Sequence, residues 1–392
     1  MQRRSFVRLV GGGVVFAAAA PLAACSSAIP DEAIAAWKGP LNEPDARRWI
    51  LSHAILAPHS HNLQSWQVDL RVPDEILLRC DPERLLPQTD PLSRQIMMSH
   101  GTFLEVLDIA ARERGLRAET TLFPEGAFGP ERIDARPVAR ARLVPDAAAP
   151  KDPLFAQILL RHTNRNVYDL NRPVPASAWQ ALSQAAAAAV PSNELRFGFV
   201  GADQAQAQAL QRHRAIASEA WKIELTTPRT MLESLKVMRI GASEIAQHRD
   251  GLTINDPMVV ALTRLGLFDR SKAPAPDSSA ITGQLKDFDK KVASTPAFLW
   301  LVSRGNSRAA QVNAGRAYAR VQLAATAQGL AMQPLQQALQ EYPEQARLHA
   351  DIHRLLDAPQ PEQTVQMWAR VGFAAAVQPA PRRGLDAHIV RA

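Results

Sequence analysis

Two long helical stretches, each closed by a glycine, set the frame into which the rest of the chain must fit. One opens at Asp90-Pro91-Leu92-Ser93-Arg94 and runs to about Arg114, where Gly115 stops it. Met97, Phe103, Leu104, Leu107 and Ala111 give it an apolar face. The other runs from about Ala309 to Gln328, with Ala314, Tyr318, Val321 and Ala325 on one face and Gly329 at its end. An apolar face needs a partner surface, and short apolar runs lie around both helices. Strands are expected at 66–72, 75–80, 118–123, 138–144, 195–200, 298–303 and 364–373. Further helices are expected at 45–56 and 176–189.

The chain has 392 residues, room for one large or two ordinary domains. Hydrophobic residues make up 46% and charged residues 21%, which describes a globular chain. The net charge of +7 is spread along the sequence rather than gathered in lysine-rich blocks with aromatics between them. That pattern argues against nucleic-acid binding and fits an anionic ligand. Residues 145–153, rich in Ala and Pro, read as a linker between a first half at 28–150 and a second at 151–392.

Residues 1–27 read as a targeting segment. Arg3-Arg4-Ser5-Phe6-Val7-Arg8 resembles a twin-arginine export signal, and the apolar region after it, 9–20, is short and diluted by Gly11, Gly12 and Gly13. Leu22-Ala23-Ala24-Cys25 resembles the lipobox at which lipoproteins are cleaved and lipidated on Cys; an ordinary cleavage site after the alanine run is the alternative. The expectation is an exported, periplasmic protein with possible anchoring through Cys25. Removing 1–24 would lower the net charge to about +4. Cys80 ends an apolar strand and reads as a small buried hydrophobe.

Three stretches carry candidate chemistry. Arg161-His162-Thr163-Asn164-Arg165 offers two guanidiniums and a hydroxyl to one small anion, on a helix end or the turn leaving one. Its plain reading is a basic helix terminus. Ala57-Pro58-His59-Ser60-His61-Asn62-Leu63-Gln64-Ser65-Trp66 is a polar loop between helix and strand. The His59–His61 spacing lacks further ligands, so no metal is expected. Pro379-Ala380-Pro381-Arg382-Arg383-Gly384-Leu385 is a basic element near the C-terminus, or simply an exposed tail.

The loop resembles the Ala-Pro-Ser-x-x-Asn-x-Gln-Pro-Trp signature of the nitroreductase superfamily, with His59 in place of Ser and Ser65 in place of Pro. The arginine stretch resembles that family's Arg-x-Ser-x-Arg phosphate motif. Gly329-Leu330-Ala331-Met332-Gln333-Pro334-Leu335 resembles its Gly-Leu stretch, and the twin-arginine start is most similar to the Acg-type branch of FMN-binding oxidoreductases.

The resemblance implies an α+β fold of two tandem nitroreductase-like halves, each a mostly antiparallel sheet flanked by helices, joined as an intramolecular pseudo-dimer. It implies one FMN per chain, because the phosphate motif survives in one half and the ring-contact loop in the other. The implied FMN contacts are Arg161, Thr163, Arg165, His59, Ser60, Asn62, Gln64, Met332, Gln333, Pro334, Leu335 and Arg382 or Arg383. Residues 221–293 fall outside the signature and are expected to form a lid, or a plain surface elaboration. The implied function is a flavin-dependent oxidoreductase with no dedicated side-chain acid or base, an unknown electron donor, a small-molecule electron acceptor and a monomeric state. A flavin-sequestering protein and a cofactor-free structural lipoprotein are the alternatives.

Overall fold

A computed structural model describes residues 28–190, 193–201 and 204–390; the expected export signal and Cys25 lie outside the described residues. The first half contains α1 (Asp31–Ile34), α2 (Ala46–Ala54), β1 (Trp66–Asp69), β2 (Glu75–Cys80), α3 (Arg94–Glu113), β3 (Leu116–Leu122) and β4 (Pro137–Pro145). α2 starts where the Asp45 carboxylate accepts from the Arg47 and Arg48 amides. β2 alternates, with Ile76, Leu78 and Cys80 turned inward.

The second half opens with α4 (Ala176–Ala189) and β5 (Leu195–Val200). An insertion follows: α5 (Ala207–Thr226), α6 (Pro228–Lys236), β6 (Met238–Ile240), α7 (Ala242–His248), β7 (Leu252–Ile254), α8 (Pro257–Arg264) and α9 (Ser279–Ala293). Then come β8 (Ala297–Arg304), α10 (Arg308–Ala327), β9 (Ala331–Pro334), α11 (Ala346–Leu355) and β10 (Gln363–Gly372).

The expected α+β fold of two matching halves is the one the chain adopts. The four-stranded sheets run β1-β2-β4-β3 and β5-β8-β10-β9, antiparallel throughout. In both, a long helix joins the second strand to the third. These two helices, α3 and α10, have 20 residues each and cross at the centre of the molecule. Arg94 and Arg308, Gly101 and Gly315, Gly115 and Gly329 are each 214 residues apart (308 minus 94). At the crossing a Cβ on Gly101 would sit 1.9 Å from the Val312 carbonyl oxygen, and one on Gly315 would sit 1.9 Å from that of Met98. Only glycine lets the backbones meet there, once from each side.

The helix starts repeat this reciprocity. Arg94 donates to the Gln366 and Leu339 carbonyls of the second half, at 2.8 and 2.7 Å. Arg308 donates to the Gly129, Pro130 and Leu92 carbonyls of the first. One apolar face is expected of α3, yet it is buried from Arg94 to Ala111. It is enclosed by its own sheet and by α10, and its polar side chains find partners: Glu105 takes Arg316 and Arg320 at 2.8 and 2.9 Å.

Four boundaries differ from expectation. β1 ends at Asp69 rather than Val72. The apolar run 154–160 forms 3₁₀ turns from Pro153, so Arg161 and Arg165 do not share an α-helix. The insertion fills the whole interval between β5 and β8, and position 221 falls inside α5. Finally, the C-terminal segment returns to the first half. His388 and Val390 bond to both sides of Val68 on β1, and Arg382 N–H donates to Ala33. Among the described residues no helix is long and apolar enough to cross a membrane.

Candidate functional site

The loop after α2 is strained. His61, Asn62 and Gln64 have φ of 48°, 55° and 54°. Left-handed backbone costs a non-glycine residue roughly 1–2 kcal/mol, so surrounding bonds must hold it. Thr102 donates to the Pro58 carbonyl at 2.6 Å, and the Ser60 amide donates to Ser99 Oγ. Ser60 Oγ lies 3.3 Å from both Gln95 Oε1 and His61 Nδ1.

His59 and Ser65, the two departures from the family signature, are partners. The Ser65 amide donates to His59 Nε2 at 3.1 Å, with Ser65 Oγ 2.7 Å from the same nitrogen. Nε2 is therefore the acceptor, and Nδ1 carries the proton it donates to the Ser60 carbonyl at 2.8 Å. Burial holds this imidazole well below its usual pKa, so it is neutral. Proline at 65 could supply neither donor.

Asn62 and Gln64 spend their polar atoms on protein. Asn62 Nδ2 donates to the Pro381 carbonyl and Oδ1 accepts from Arg382 at 2.5 Å. Gln64, fully buried, donates to the Asn62 and Arg249 carbonyls and accepts from the Arg383 amide. A direct ligand contact from either would require giving up these bonds.

Three elements remote in sequence converge here. Arg161 donates to Gln322 Oε1 at 3.0 Å and to the Leu56 carbonyl at 2.9 Å. Arg382 donates to the Ile55, Leu56, Ala57 and Pro381 carbonyls as well as to Asn62. Both guanidiniums lie over the Trp37 ring, at 5.5 and 5.1 Å. Arg383 reaches the Gln64 carbonyl, and its Nε has no partner.

Arg165 is different. It is exposed to solvent and, among the described residues, makes no hydrogen bond or ion pair. Yet surrounding protein desolvates it enough to lower its pKa, as happens to an accessible group set in a concavity. His61 faces it and is pushed down to about 4, by burial first and then by the Arg165 charge. The Tyr318 hydroxyl is buried without a partner, in electrostatic contact with both Arg161 and Arg165.

The Gly-Leu stretch closes the circle. Past Gly329, with φ 66°, β9 pairs with β10 on one edge and meets the arginine stretch on the other. Thr163 bridges Met332, and the Asn164 amide donates to the Met332 carbonyl at 2.9 Å. Gln333 accepts from Arg370 at 2.7 Å, and Arg370 also donates to the Asn166 carbonyl. Pro334 ends the strand, while Leu335 turns into the core behind β10.

Burial pushes Arg161 and Arg383 down to about 10 and holds Arg382 well below its usual value, the Arg161 charge adding to the effect on Arg382. Arg370 is lowered for the same reason. Yet none of Arg161, Arg165, Arg370, Arg382 and Arg383 is paired with a carboxylate among the described residues. A buried cluster of like charge with no counter-ion is costly.

The insertion is pinned to the loop. The Gly251 amide donates to the Asn62 carbonyl, and buried Asp250 binds Arg84 at 2.5 Å and Arg239 at 2.9 Å. A cavity of about 140 Å³ adjoins Arg382, Ile55 and Arg249. A larger one, about 480 Å³, is lined by Pro173, Trp179 and Phe199 and has no charged group on its wall. The unpaired charge, not the larger volume, marks the site. No three metal-binding side chains are grouped among the described residues.

Trp37, Gln322, Arg370 and Asp250 belong to this neighbourhood and were not singled out by sequence. Arg370, an arginine inside an apolar strand, was the one readable signal.

No family model matches the chain. Two proteins of Mycobacterium tuberculosis, named "Putative NAD(P)H nitroreductase MT3217" (strain CDC 1551 / Oshkosh) and "Putative NAD(P)H nitroreductase Rv3131" (strain ATCC 25618 / H37Rv), are each 28% identical to it over 359 residues, 88% of this chain and 91% of theirs. Among solved structures, the FMN-dependent nitroreductase NfnB of Mycobacterium smegmatis, in complex with NADPH, has 19% identity and a TM-score of 0.37, covering 60% of this chain and 96% of that one. A nitroreductase of Bacteroides fragilis with bound FMN has 14% identity and a TM-score of 0.33, covering 58% and 92%. Likeness at these TM-scores leaves the fold to rest on the strand order itself.

Proposed function

We propose that this chain is a flavin-dependent oxidoreductase of the nitroreductase superfamily, holding one FMN between its two halves. The observation that carries this reading is the arginine cluster without a counter-ion. The residues fit a phosphate group: Arg165 has all its donors free, the Tyr318 hydroxyl lacks a partner, and no carboxylate competes. Arg161, Arg165 and Thr163 would hold the phosphate, with Arg383 as a further donor. The strained His59–Gln64 loop and the β9 backbone at Met332 and Gln333 would flank the ring.

FMN, when bound, supplies hydride chemistry. The chain's own residues bind and orient. Arg161 joins the phosphate motif to the loop through the Leu56 carbonyl, so the two halves are set relative to each other before any ligand arrives. Neutral His59 fixes the Ser60–Ser65 backbone. No side chain is needed as general acid or base.

The names of the M. tuberculosis relatives point to NAD(P)H as donor and a nitro compound as acceptor. Arg3-Arg4 and Cys25 support export and a lipid anchor, and a periplasmic protein would need a different donor. Asp250 and Arg249, clasping the loop, favour a second reading in which the insertion sequesters the flavin.

The deciding experiment loads the full chain with FMN, desalts it, and follows the flavin spectrum during reduction by NADPH and reoxidation by a nitroaromatic. About one flavin per chain with both steps supports the oxidoreductase. Bound flavin that resists both supports sequestration. A folded chain that takes up no flavin refutes both and leaves the structural lipoprotein.

A further inference from the structure

Four exposed apolar side chains stand together at the tip of the insertion. Met258 and Leu262 lie on α8, and Leu265 continues their spacing one turn on. Gly266, with φ 71°, turns the chain into Leu267. Leu265 and Leu267 are 72% and 71% exposed, and no residue of α8 is buried. Leu265 and Leu267 keep most of their surface in water, and an apolar tip of this kind calls for a partner.

Where the chain enters the fold identifies that partner. Asn255 Nδ2 donates to the Ala28 carbonyl at 2.7 Å, two residues before α8 begins. Two residues lie between Cys25 and Ala28, so three chain steps span at most about 11 Å. A lipid on Cys25 would thus put a bilayer surface at the foot of α8. Arg264 on the same helix is exposed, and its side chain makes no hydrogen bond or ion pair among the described residues; exposed Lys272, just beyond, pairs with Asp269 at 3.6 Å.

We propose that the α8 tip is a membrane-contact surface, lying in the headgroup boundary of an anionic bilayer beside Cys25. A lipid on Cys25 would tether the chain at one point, and an apolar contact beside it would add a second. The tip then fixes which face of the insertion meets the lipid. This reading does not depend on flavin binding.

The test uses the full chain with Cys25→Ser, so that no lipid is attached, and Leu265→Cys carrying an environment-sensitive fluorophore. Cys80 is buried, and burial pushes its thiol up to about 12, so it stays unlabelled. Vesicles containing phosphatidylglycerol should blue-shift the label at 265, while a label at exposed Glu131→Cys should not respond. Adding Met258→Glu and Leu267→Glu should reduce the bound fraction at least fivefold. No shift at 265 with phosphatidylglycerol vesicles in large excess, whether or not the protein binds them, overturns the proposal. So does a shift that needs no vesicles and rises with protein concentration, which would assign the tip to a second copy of this chain.

Discussion

Arg165 and Arg382 look interchangeable in sequence, and the structure separates them. Arg165 makes no bond, so Arg165→Ala should leave the unfolding midpoint of flavin-free protein unchanged. FMN affinity should fall tenfold or more, the loss of about 1.5–3 kcal/mol expected for a charge-assisted contact; titration by flavin fluorescence checks this. Arg382→Ala strips donors from the Ile55, Leu56 and Ala57 carbonyls. It should cost about 3 kcal/mol in urea unfolding without any ligand. The His59–Ser65 pair makes a second test. Ser65→Pro alone removes both donors to His59, whereas His59→Ser with Ser65→Pro removes donors and acceptor together. The double variant should be more stable than the sum of the single changes predicts, by about 1 kcal/mol in a double-mutant cycle. Sequence showed each departure separately; their contact depends on the left-handed turn at His61 and Asn62, which residue type does not announce.

The helical crossing is where one small substitution should matter most. Gly315→Ala adds a Cβ 1.9 Å from the Met98 carbonyl oxygen, and Met98 is backbone that cannot swing aside. Alanine favours a helix over glycine by about 1 kcal/mol, but forcing α3 and α10 apart should outweigh it, for a net loss of about 1–3 kcal/mol in urea unfolding. Gly283 on α9 has open space around it, and Gly283→Ala should stabilise by about 0.5–1 kcal/mol. Both long helices were legible because each has an apolar face and a closing glycine. The insertion was read only as helical pieces; its long helices α5 and α9 bury Leu210, Ala217, Phe288 and Val292 against β8 and β10, a contact between segments far apart in the chain. The arginine stretch could be read as a helix end or the turn leaving one; Pro153 and the Asp152 cap begin 3₁₀ turns instead of an α-helix, and the arginines follow them.

Histidine sets the acid limit of the molecule. Burial lowers the pKa of nine of the 10 histidines; His61, His100 and His162 fall to about 4. A base held neutral in the fold stabilises fully above its unfolded pKa, and that stability is lost as pH falls from about 6.5 through the folded value. Glu224, Asp90 and Asp108 act oppositely, since burial raises the first two to about 7 and about 6 and lifts Asp108 above its usual value. Their contribution is present below the unfolded carboxylate range and lost as pH rises through their folded values. With nine groups against three, and up to about 1.4 kcal/mol per group per pH unit, the histidines prevail between pH 4.5 and 6.5. The thermal midpoint should fall steeply on acidification through that range and be highest near neutrality. Glu224→Gln should help at pH 8 and do little at pH 5. The paired glycines of the central crossing have another consequence. Two separate chains meeting this way would come apart on dilution, and any change in the gene would appear on both helices at once. A single polypeptide escapes both constraints. Its melting should not depend on concentration, and its halves are free to diverge independently.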